Sequence, residues 1–224
     1  MAIRLWNLEE AAAFLNVETK ELRALATSGE IPCVPQGDRM MFDPEEVDAW
    51  YTTRMVRRLP VHHRENPRQA PPPEFLLEGY CRVELMEPAL EGKTKPAVLR
   101  ELTALAERAG VLYDPQEFLE GLRRREEAGS TAMAEGIALV HPMSRDEYTC
   151  VEPFLAIART RVPVHFGEEN GMPTDLFFLI CSPKPQEHLQ ILGKLCRLAA
   201  EGTFLQQLRE ATTPEEMMQA VQGK

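Results

Sequence analysis

The spacing of apolar residues near the N-terminus predicts two short helices. Asn7 is a suitable helix N-cap, and the apolar residues behind it recur at helical intervals: Leu8, Ala11, Ala12 and Leu15. A second helix is predicted from about Thr19, because Leu22 and Leu25 fall on one face, and Gly29 ends it. The segment is therefore predicted to be a helix, a turn and a helix.

After the second helix the pattern changes to short extended runs and then returns to a helix. The runs 31–34 and 39–42 lie on either side of Gly37-Asp38, an arrangement typical of a β-hairpin. A third helix is predicted to begin at Asp43-Pro44, with the aspartate as N-cap and the proline at the first helical position. Residues 1–55 thus form one small unit.

Helices and strands alternate in the rest of the chain. Apolar residues at helical spacing predict helices at 94–109, 114–125, 186–201, 203–210 and from Thr213 onward. Continuous apolar runs predict buried strands at 136–141, 153–159 and 175–181. Alternation of this kind predicts an α/β sandwich, a mixed sheet flanked by helices.

A connector separates the two parts. It contains five prolines between Pro60 and Pro73 and almost no apolar residues that a core would bury. Such a segment is expected to be extended and semi-rigid. The predicted division is a small unit at 1–55, a Pro/Arg/His-rich linker at 56–74 and a large domain at 75–224.

Composition limits the classes of protein to consider. The chain has 224 residues, of which 44% are hydrophobic and 27% charged. No apolar run approaches the ~20 residues of a membrane span, and the N-terminus lacks the apolar core of a signal peptide. The five cysteines are scattered, and none lies in a CxxC pair, so a disulfide framework or structural zinc site is not expected. We therefore expect a cytoplasmic protein.

Charge is distributed unevenly. Residues 1–70 contain 9 Lys/Arg and 11 Asp/Glu, a net charge of −2, and the remainder contains 16 and 24, a net charge of −8. The acidic part is a poor prospect for nucleic acid and would suit a partner with a basic docking face. The alternative is that this acidity only keeps the protein in solution.

The segment from Arg125 to His141 carries the most specific candidate chemistry. The apolar run 137–140 is bounded by Gly136 and Pro142, which is how a buried strand places its last residue in a cleft. An imidazole there is a nucleophile near neutral pH, and a guanidinium is a planar clamp for phosphate oxygens. From periodicity alone, the alternative is a strand-end histidine that hydrogen-bonds a backbone carbonyl.

The pattern R-E-x-x-G-S-T-x-x-x-x-G-I-A-L-x-H resembles the active-site signature of enzyme IIA domains of the bacterial sugar phosphotransferase system. The mannitol/fructose and nitrogen-regulatory branch is the most similar. A second segment agrees with it, because the apolar run 175–180 leads through Ser182-Pro183-Lys184-Pro185 to His188-Leu189. The resemblance covers about residues 75–222. This chain departs from the family pattern at Val140, where proline is usual, and at Ala132 and Ala134, where glycine is frequent.

The resemblance implies a role for each residue of the motif. His141 would accept a phosphoryl group from a phosphocarrier protein, His188 would donate a hydrogen bond to its oxygens, and Arg125 would lie near the phosphate. Ser130 and Thr131 are candidate phosphate contacts, with turn formation or helix capping as the alternative. Neither a metal nor a cofactor is implied, because the phosphoryl group arrives already activated on another protein.

The small unit resembles the excisionase or MerR-like winged helix-turn-helix. The matching segments are Ser28-Gly29-Glu30-Ile31-Pro32 and the run 42–50. In such folds the second helix enters the major groove of DNA and the wing contacts the backbone. The residues that would touch DNA are Thr19, Lys20, Arg23 and, on the wing, Arg39. Acidic residues lie among these cations, so we expect weak binding by a monomer, and a homodimer is a further expectation.

These features lead to three hypotheses. In the first, an enzyme IIA-like domain acts as a phosphoryl carrier that reports phosphotransferase status, and a helix-turn-helix head passes that state to DNA. In the second, the protein is a transcription factor whose large domain senses a partner or ligand without phosphorylation. In the third, it is a phosphocarrier whose head recruits another protein.

Overall fold

The computed structural model describes residues 5–15, 17–37, 39–44, 46, 47, 50, 51, 75–143, 148–167 and 172–224. The chain divides into two compact units, Met1–Met55 and Val56–Lys224. The linker predicted at 56–74 lies outside the described residues. None of the helices in the described parts of the chain has the length and apolar character of a membrane span.

The described part of the small unit contains two helices and a hairpin. Helix α1 spans Leu8–Leu15 and α2 spans Thr19–Thr27, while strands β1 (Val34–Gln36) and β2 (Arg39–Met41) pair antiparallel. Asn7 caps α1, because its Oδ1 accepts from the amides of the second and third residues after it, each at 2.9 Å. The predicted order of helix, turn, helix and hairpin is confirmed.

The core of this unit is formed by its helices and by the residues on either side of the hairpin. In the described part of the unit, the buried residues are Ala11, Ala12, Leu15, Leu22, Ala26, Ile31, Phe42 and Val47. Residues 44, 46, 47, 50 and 51 are helical, as the predicted third helix requires. Gly37, between the two strands, has a φ of +60°, a left-handed conformation that glycine adopts without steric cost.

The described part of the larger unit is built on a four-stranded mixed sheet. Its strands are β3 (Met86–Leu90), β4 (Ile137–Val140), β5 (Phe154–Val164) and β6 (Thr174–Cys181). Their order is β3-β5-β6-β4, in which β5 and β6 are antiparallel and each outer strand runs parallel to its neighbour. The mixed sheet that the sequence predicts is confirmed.

The sheet differs from the prediction at two places. Strand β3 was not predicted, because its five residues include Glu87 and Pro88 and only alternate positions are buried. A proline is tolerated there since β3 is an edge strand. Strand β5 also extends beyond residue 159, where the prediction ended, to Val164.

Helices cover both faces of the sheet. They are α3 (Lys95–Arg108), α4 (Pro115–Ala128), α5 (Pro185–Glu201), α6 (Thr203–Glu210) and α7 (Pro214–Val221). Thr94 and Asp114 cap α3 and α4 through their side-chain oxygens, and Thr213 forms a capping box with Glu216 at α7. Each of these three caps is followed by a helix with proline in its first turn.

Two hydrophobic cores result, one on each face. On β6, Phe177 and Leu179 join the core of α3 and α4, whereas Phe178 and Ile180 join the core of α5, α6 and α7. A strand covered on both faces has no polar face, which explains the continuous apolar run at 176–180. The observed architecture is the predicted sandwich.

The turn after α4 packs tightly against the end of β5. A Cβ added to Gly167 would lie 2.6 Å from the Ala132 Cβ and 2.7 Å from the Ser130 Oγ. The serine side chain can rotate away, but the alanine methyl group is fixed to the backbone. Only glycine therefore fits at position 167 without displacing the turn.

We predict that Gly167→Ala destabilises the domain by about 1–3 kcal/mol, the usual cost of overpacking. Gly79→Ala is the matched control, since a Cβ there would meet nothing within 4 Å. Chemical denaturation of both variants, with far-UV circular dichroism as the probe, measures the difference. Equal denaturation midpoints for the two variants would show that the turn accommodates the added methyl group without loss of stability.

Candidate functional site

His141 lies directly after β4 at the edge of the sheet. Val140 pairs with Leu179, so the next residues of β4 and β6 emerge at the same edge. The imidazole is fully buried. Its Nδ1 is 2.8 Å from the Leu139 carbonyl oxygen, and its Nε2 is 2.9 Å from the Arg125 Nε.

These two contacts assign the proton on the ring. A guanidinium only donates, so the Nε2 atom accepts from Arg125 and bears a lone pair. The proton is then on Nδ1, which donates to the Leu139 carbonyl. His141 is therefore a neutral imidazole whose unprotonated nitrogen is Nε2. The sequence left open whether His141 has a chemical role or only hydrogen-bonds a backbone carbonyl. The two roles are compatible, because the carbonyl contact uses Nδ1 and leaves Nε2 for chemistry.

Arg125 is held in the last turn of α4 and is almost completely buried. Its Nη1 donates to the Gly129 carbonyl at 2.8 Å, and its Nε donates to His141. Both of these acceptors are neutral. A phosphate oxygen accepts such hydrogen bonds more strongly, so an incoming phosphoryl group can replace them.

His188 approaches from the opposite layer of the sandwich. It lies in the first turn of α5, is fully buried, and has its ring centroid 5.1 Å from that of His141 at an interplanar angle of 62°. The positive end of the α5 dipole favours negative charge at this point. The structure thus brings together the three residues that the sequence motif singles out.

The two hydroxyls of the motif have protein partners. Ser130 Oγ donates to the Phe166 carbonyl at 3.3 Å and accepts from the Ala132 amide at 3.2 Å. Thr131 donates its hydroxyl to Glu126, and its amide donates to the same carboxylate at 3.0 Å. In this structure both residues therefore stabilise the turn at 129–132, which is the alternative to phosphate contact that the sequence left open.

Sequence reasoning missed Lys95. Its Nζ lies 3.0 Å from Glu126 Oε2 and 5.0 Å from the centroid of the Phe166 ring. The lysine is at the start of α3, 31 positions before its partner. No periodicity or motif connects residues so far apart, so the sequence carried no signal for this pair.

Comparison with known proteins identifies the larger domain. Residues 80–224 match the family "Phosphoenolpyruvate-dependent sugar phosphotransferase system, EIIA 2". The chain belongs to this family. Residues 7–55 match a helix-turn-helix domain. The resemblances stated from the motifs are thereby confirmed for both parts of the chain.

The EIIA domain has relatives of two kinds. A nitrogen regulatory protein of Pseudomonas aeruginosa is 32% identical over 132 residues, which are 58% of this chain and 84% of the relative. A fructose-like EIIA component of Escherichia coli is 30% identical over 131 residues, 56% of this chain and 84% of the relative. Both similarities fall on the EIIA domain.

Solved structures agree with the fold. Nitrogen regulatory protein IIA-Ntr from Neisseria meningitidis superposes with a TM-score of 0.57 at 26% identity, covering 64% of this chain and 97% of that one. IIA mannitol from Escherichia coli has a TM-score of 0.54 at 20% identity and covers 63% and 98% of the two chains. At that identity the second likeness concerns the fold alone.

The loop that precedes His188 in the EIIA domain is fixed by Glu187. This carboxylate accepts hydrogen bonds from the Tyr80 hydroxyl, at 3.1 Å, and from the Ser182 hydroxyl. Burial, followed by the charge of Glu187, raises the pKa of Tyr80 to about 12, so the phenol keeps its proton and remains a donor. The first turn of α5, and His188 with it, is therefore anchored to the strand end.

A cavity of about 240 Å³ lies beside the EIIA site. It is lined by Pro142, which follows His141, and by Asp114, Glu117, Phe118, Gly121, Arg124, Tyr148 and Thr149. Two of these residues are acidic and one is basic. The cavity thus presents a partly apolar, net acidic surface beside the residue that follows His141.

The DNA-contact candidates of the helix-turn-helix domain are all exposed. Thr19, Lys20 and Arg23 project from α2, and Arg39 begins β2. The face of α2 opposite these side chains is buried through Leu22 and Ala26. The placement is that of a helix with one packed face and one accessible face.

We predict that His141 carries its proton on Nδ1 and that Nε2 is bare at neutral pH. Nitrogen-15 NMR of the imidazole distinguishes the two tautomers directly. Arg125→Met removes the donor to Nε2 and is expected to let an Nε2–H tautomer appear, while the exposed His165 serves as the internal control. A proton on Nε2 in the unaltered protein would contradict the assignment.

Proposed function

We propose that the EIIA domain accepts a phosphoryl group on His141 from a phosphocarrier protein. The observation that supports this most is that Arg125 donates to the Nε2 lone pair of His141 while the ring of His188 lies 5.1 Å from the same imidazole. A neutral imidazole with its proton on the far nitrogen is the form that attacks phosphorus. The family to which the chain belongs makes a protein phosphohistidine the expected donor.

The transfer is a displacement at phosphorus. The Nε2 lone pair of His141 forms a new N–P bond while the N–P bond of the donor breaks, and the donor imidazole leaves with the electron pair. Arg125 must first release Nε2, because a lone pair engaged in a hydrogen bond cannot attack. Its guanidinium then compensates the charge of the equatorial oxygens, and His188 contributes an N–H donor.

Burial has two consequences for this reaction. Both imidazoles are fully buried, so the site has to open before a donor can reach Nε2. Once the site closes again, the same burial excludes water, which favours transfer to an acceptor over hydrolysis. The net acidic cavity beside Pro142 would suit a donor with a basic docking face.

The two modules together suggest regulation. We propose that a head at 1–55 binds DNA through Thr19, Lys20, Arg23 and Arg39, that 56–74 is a linker, and that a phospho-acceptor domain at 75–224 reports phosphotransferase status in the cytoplasm. The head has few cations, so pairing of two chains is the simplest way to strengthen binding.

A second function is favoured by two observations. Both ring nitrogens of His141 are occupied by hydrogen bonds within a closed site, and Val140 replaces the proline usual in the family. A domain that keeps this arrangement permanently would sense a partner or ligand without phosphorylation, in a DNA-binding transcription factor.

We predict that His141 takes up one phosphoryl group when the protein is incubated with phosphoenolpyruvate and the general phosphotransferase proteins. Intact mass measures the uptake, and the label should be stable in alkali and labile in acid. His141→Ala should abolish it, while His165→Ala, at an exposed histidine outside the site, should not. No added mass with a competent donor would favour the sensing function instead.

The variant His188→Ala tests whether His141 and His188 have different roles. We expect this variant still to accept phosphate, because the nucleophile remains, but to transfer or retain it about 10²-fold less well, since a donor to the phosphoryl oxygens is lost. Mass spectra over time, with and without an acceptor protein, give both rates. Unchanged rates in the variant would remove His188 from the site.

For the head, we predict DNA binding that weakens steeply between about 50 and 200 mM salt. Lys20→Ala or Arg23→Ala should each flatten the salt dependence by about one unit of slope. Arg100→Ala, at an exposed position of the EIIA domain, is the charge-matched control. If neither the head nor the full chain binds any duplex at the lower salt, the head docks a protein and the transcription-factor hypothesis is wrong.

A further inference from the structure

We infer that Glu126 is a positioning residue for the chemistry of His141, because it fastens the turn that holds both Arg125 and His141 in place. The inference rests on the proposed function for its kinetic consequence. Its structural consequence, the tautomer of His141, can be measured without any phosphoryl transfer.

Glu126 is a buried carboxylate with three donors. Oε1 accepts from the Thr131 amide at 3.0 Å and from the Thr131 hydroxyl, and Oε2 accepts from Lys95 Nζ at 3.0 Å. Its side chain is only 3% exposed, against 30% for Lys95. Because consecutive residues of a helix point in different directions, Glu126 binds the turn while Arg125 reaches the imidazole.

The turn is the frame that both site residues share. The Gly129 carbonyl accepts from Arg125 Nη1 at 2.8 Å, which fixes the orientation of the guanidinium. Thr131 accepts from the Leu139 amide at 3.1 Å, and the Leu139 carbonyl accepts from His141 Nδ1–H. One hydrogen bond thus connects the turn to Arg125, and a chain of two hydrogen bonds connects it to His141.

A merely structural role for Glu126 makes a different prediction from a positioning role. Loss of one partner of a buried ion pair leaves an uncompensated charge, whereas replacing both partners by apolar residues is often neutral for stability. The double variant Lys95→Met/Glu126→Leu should therefore recover the part of the stability loss of Glu126→Leu that comes from the unpaired charge of Lys95. It cannot recover the hydrogen bonds to Thr131, since leucine has no acceptor.

The experiment compares Glu126→Leu, Lys95→Met/Glu126→Leu and Glu126→Gln with the unaltered full chain. The exposed neighbour Glu127→Leu is the control. Each protein is assayed for its denaturation midpoint, its rate of phosphoryl uptake and the nitrogen-15 shifts of His141. We expect the double variant to unfold at a higher midpoint than Glu126→Leu, yet to take up phosphate about tenfold or more slowly than the unaltered protein and to populate the Nε2–H tautomer.

The conservative variant completes the test. Glu126→Gln keeps an oxygen acceptor for Thr131, so its uptake rate should exceed that of Glu126→Leu. Uptake and tautomer both at the unaltered values in the double variant would overturn the inference and leave Glu126 a stabilising residue only. If the unaltered protein takes up no phosphate, the proposed function fails, and the tautomer in the double variant still decides the positioning role.

Discussion

Parallel pairing of β4 with β6 is the constraint on which the site depends. The two strands run in the same direction with Val140 opposite Leu179, so their carboxyl ends meet at one edge of the sheet. His141 leaves from one strand, and the loop that leads to α5 leaves from the other. Side chains from distant parts of the sequence therefore converge at the place where open sheets of this kind usually bind ligands.

The hydrogen bond between Arg125 and His141 serves two purposes that oppose each other. It fixes the tautomer that leaves Nε2 unprotonated, and it also occupies the Nε2 lone pair, which has to attack in the proposed transfer. While this hydrogen bond is present, the Nε2 lone pair is occupied. It becomes available only when the guanidinium finds a better acceptor. In the proposed transfer, recognition of the phosphoryl group and release of the nucleophile become the same event.

Much of this arrangement is predictable from the sequence. The apolar runs and the Asp, Thr and Pro residues at helix starts predict most elements. The resemblance to the enzyme IIA motif predicts that Arg125, His141 and His188 meet. Strand β3 escapes prediction because five residues that include Pro88 carry too little pattern. Tertiary structure determines which partners the Ser130 and Thr131 hydroxyls have and why Lys95 pairs with Glu126. These contacts depend on which elements pack together, and local sequence does not encode that.

The two-sided construction of the sheet has a consequence for how such a site evolves. Arg125 belongs to a helix packed on one core, and His188 belongs to a helix packed on the other. Repacking either core would move one of these residues toward or away from His141 and leave its counterpart where it was. A substitution in one core can thus change the distance of one of these residues from His141, without any substitution among the three residues themselves.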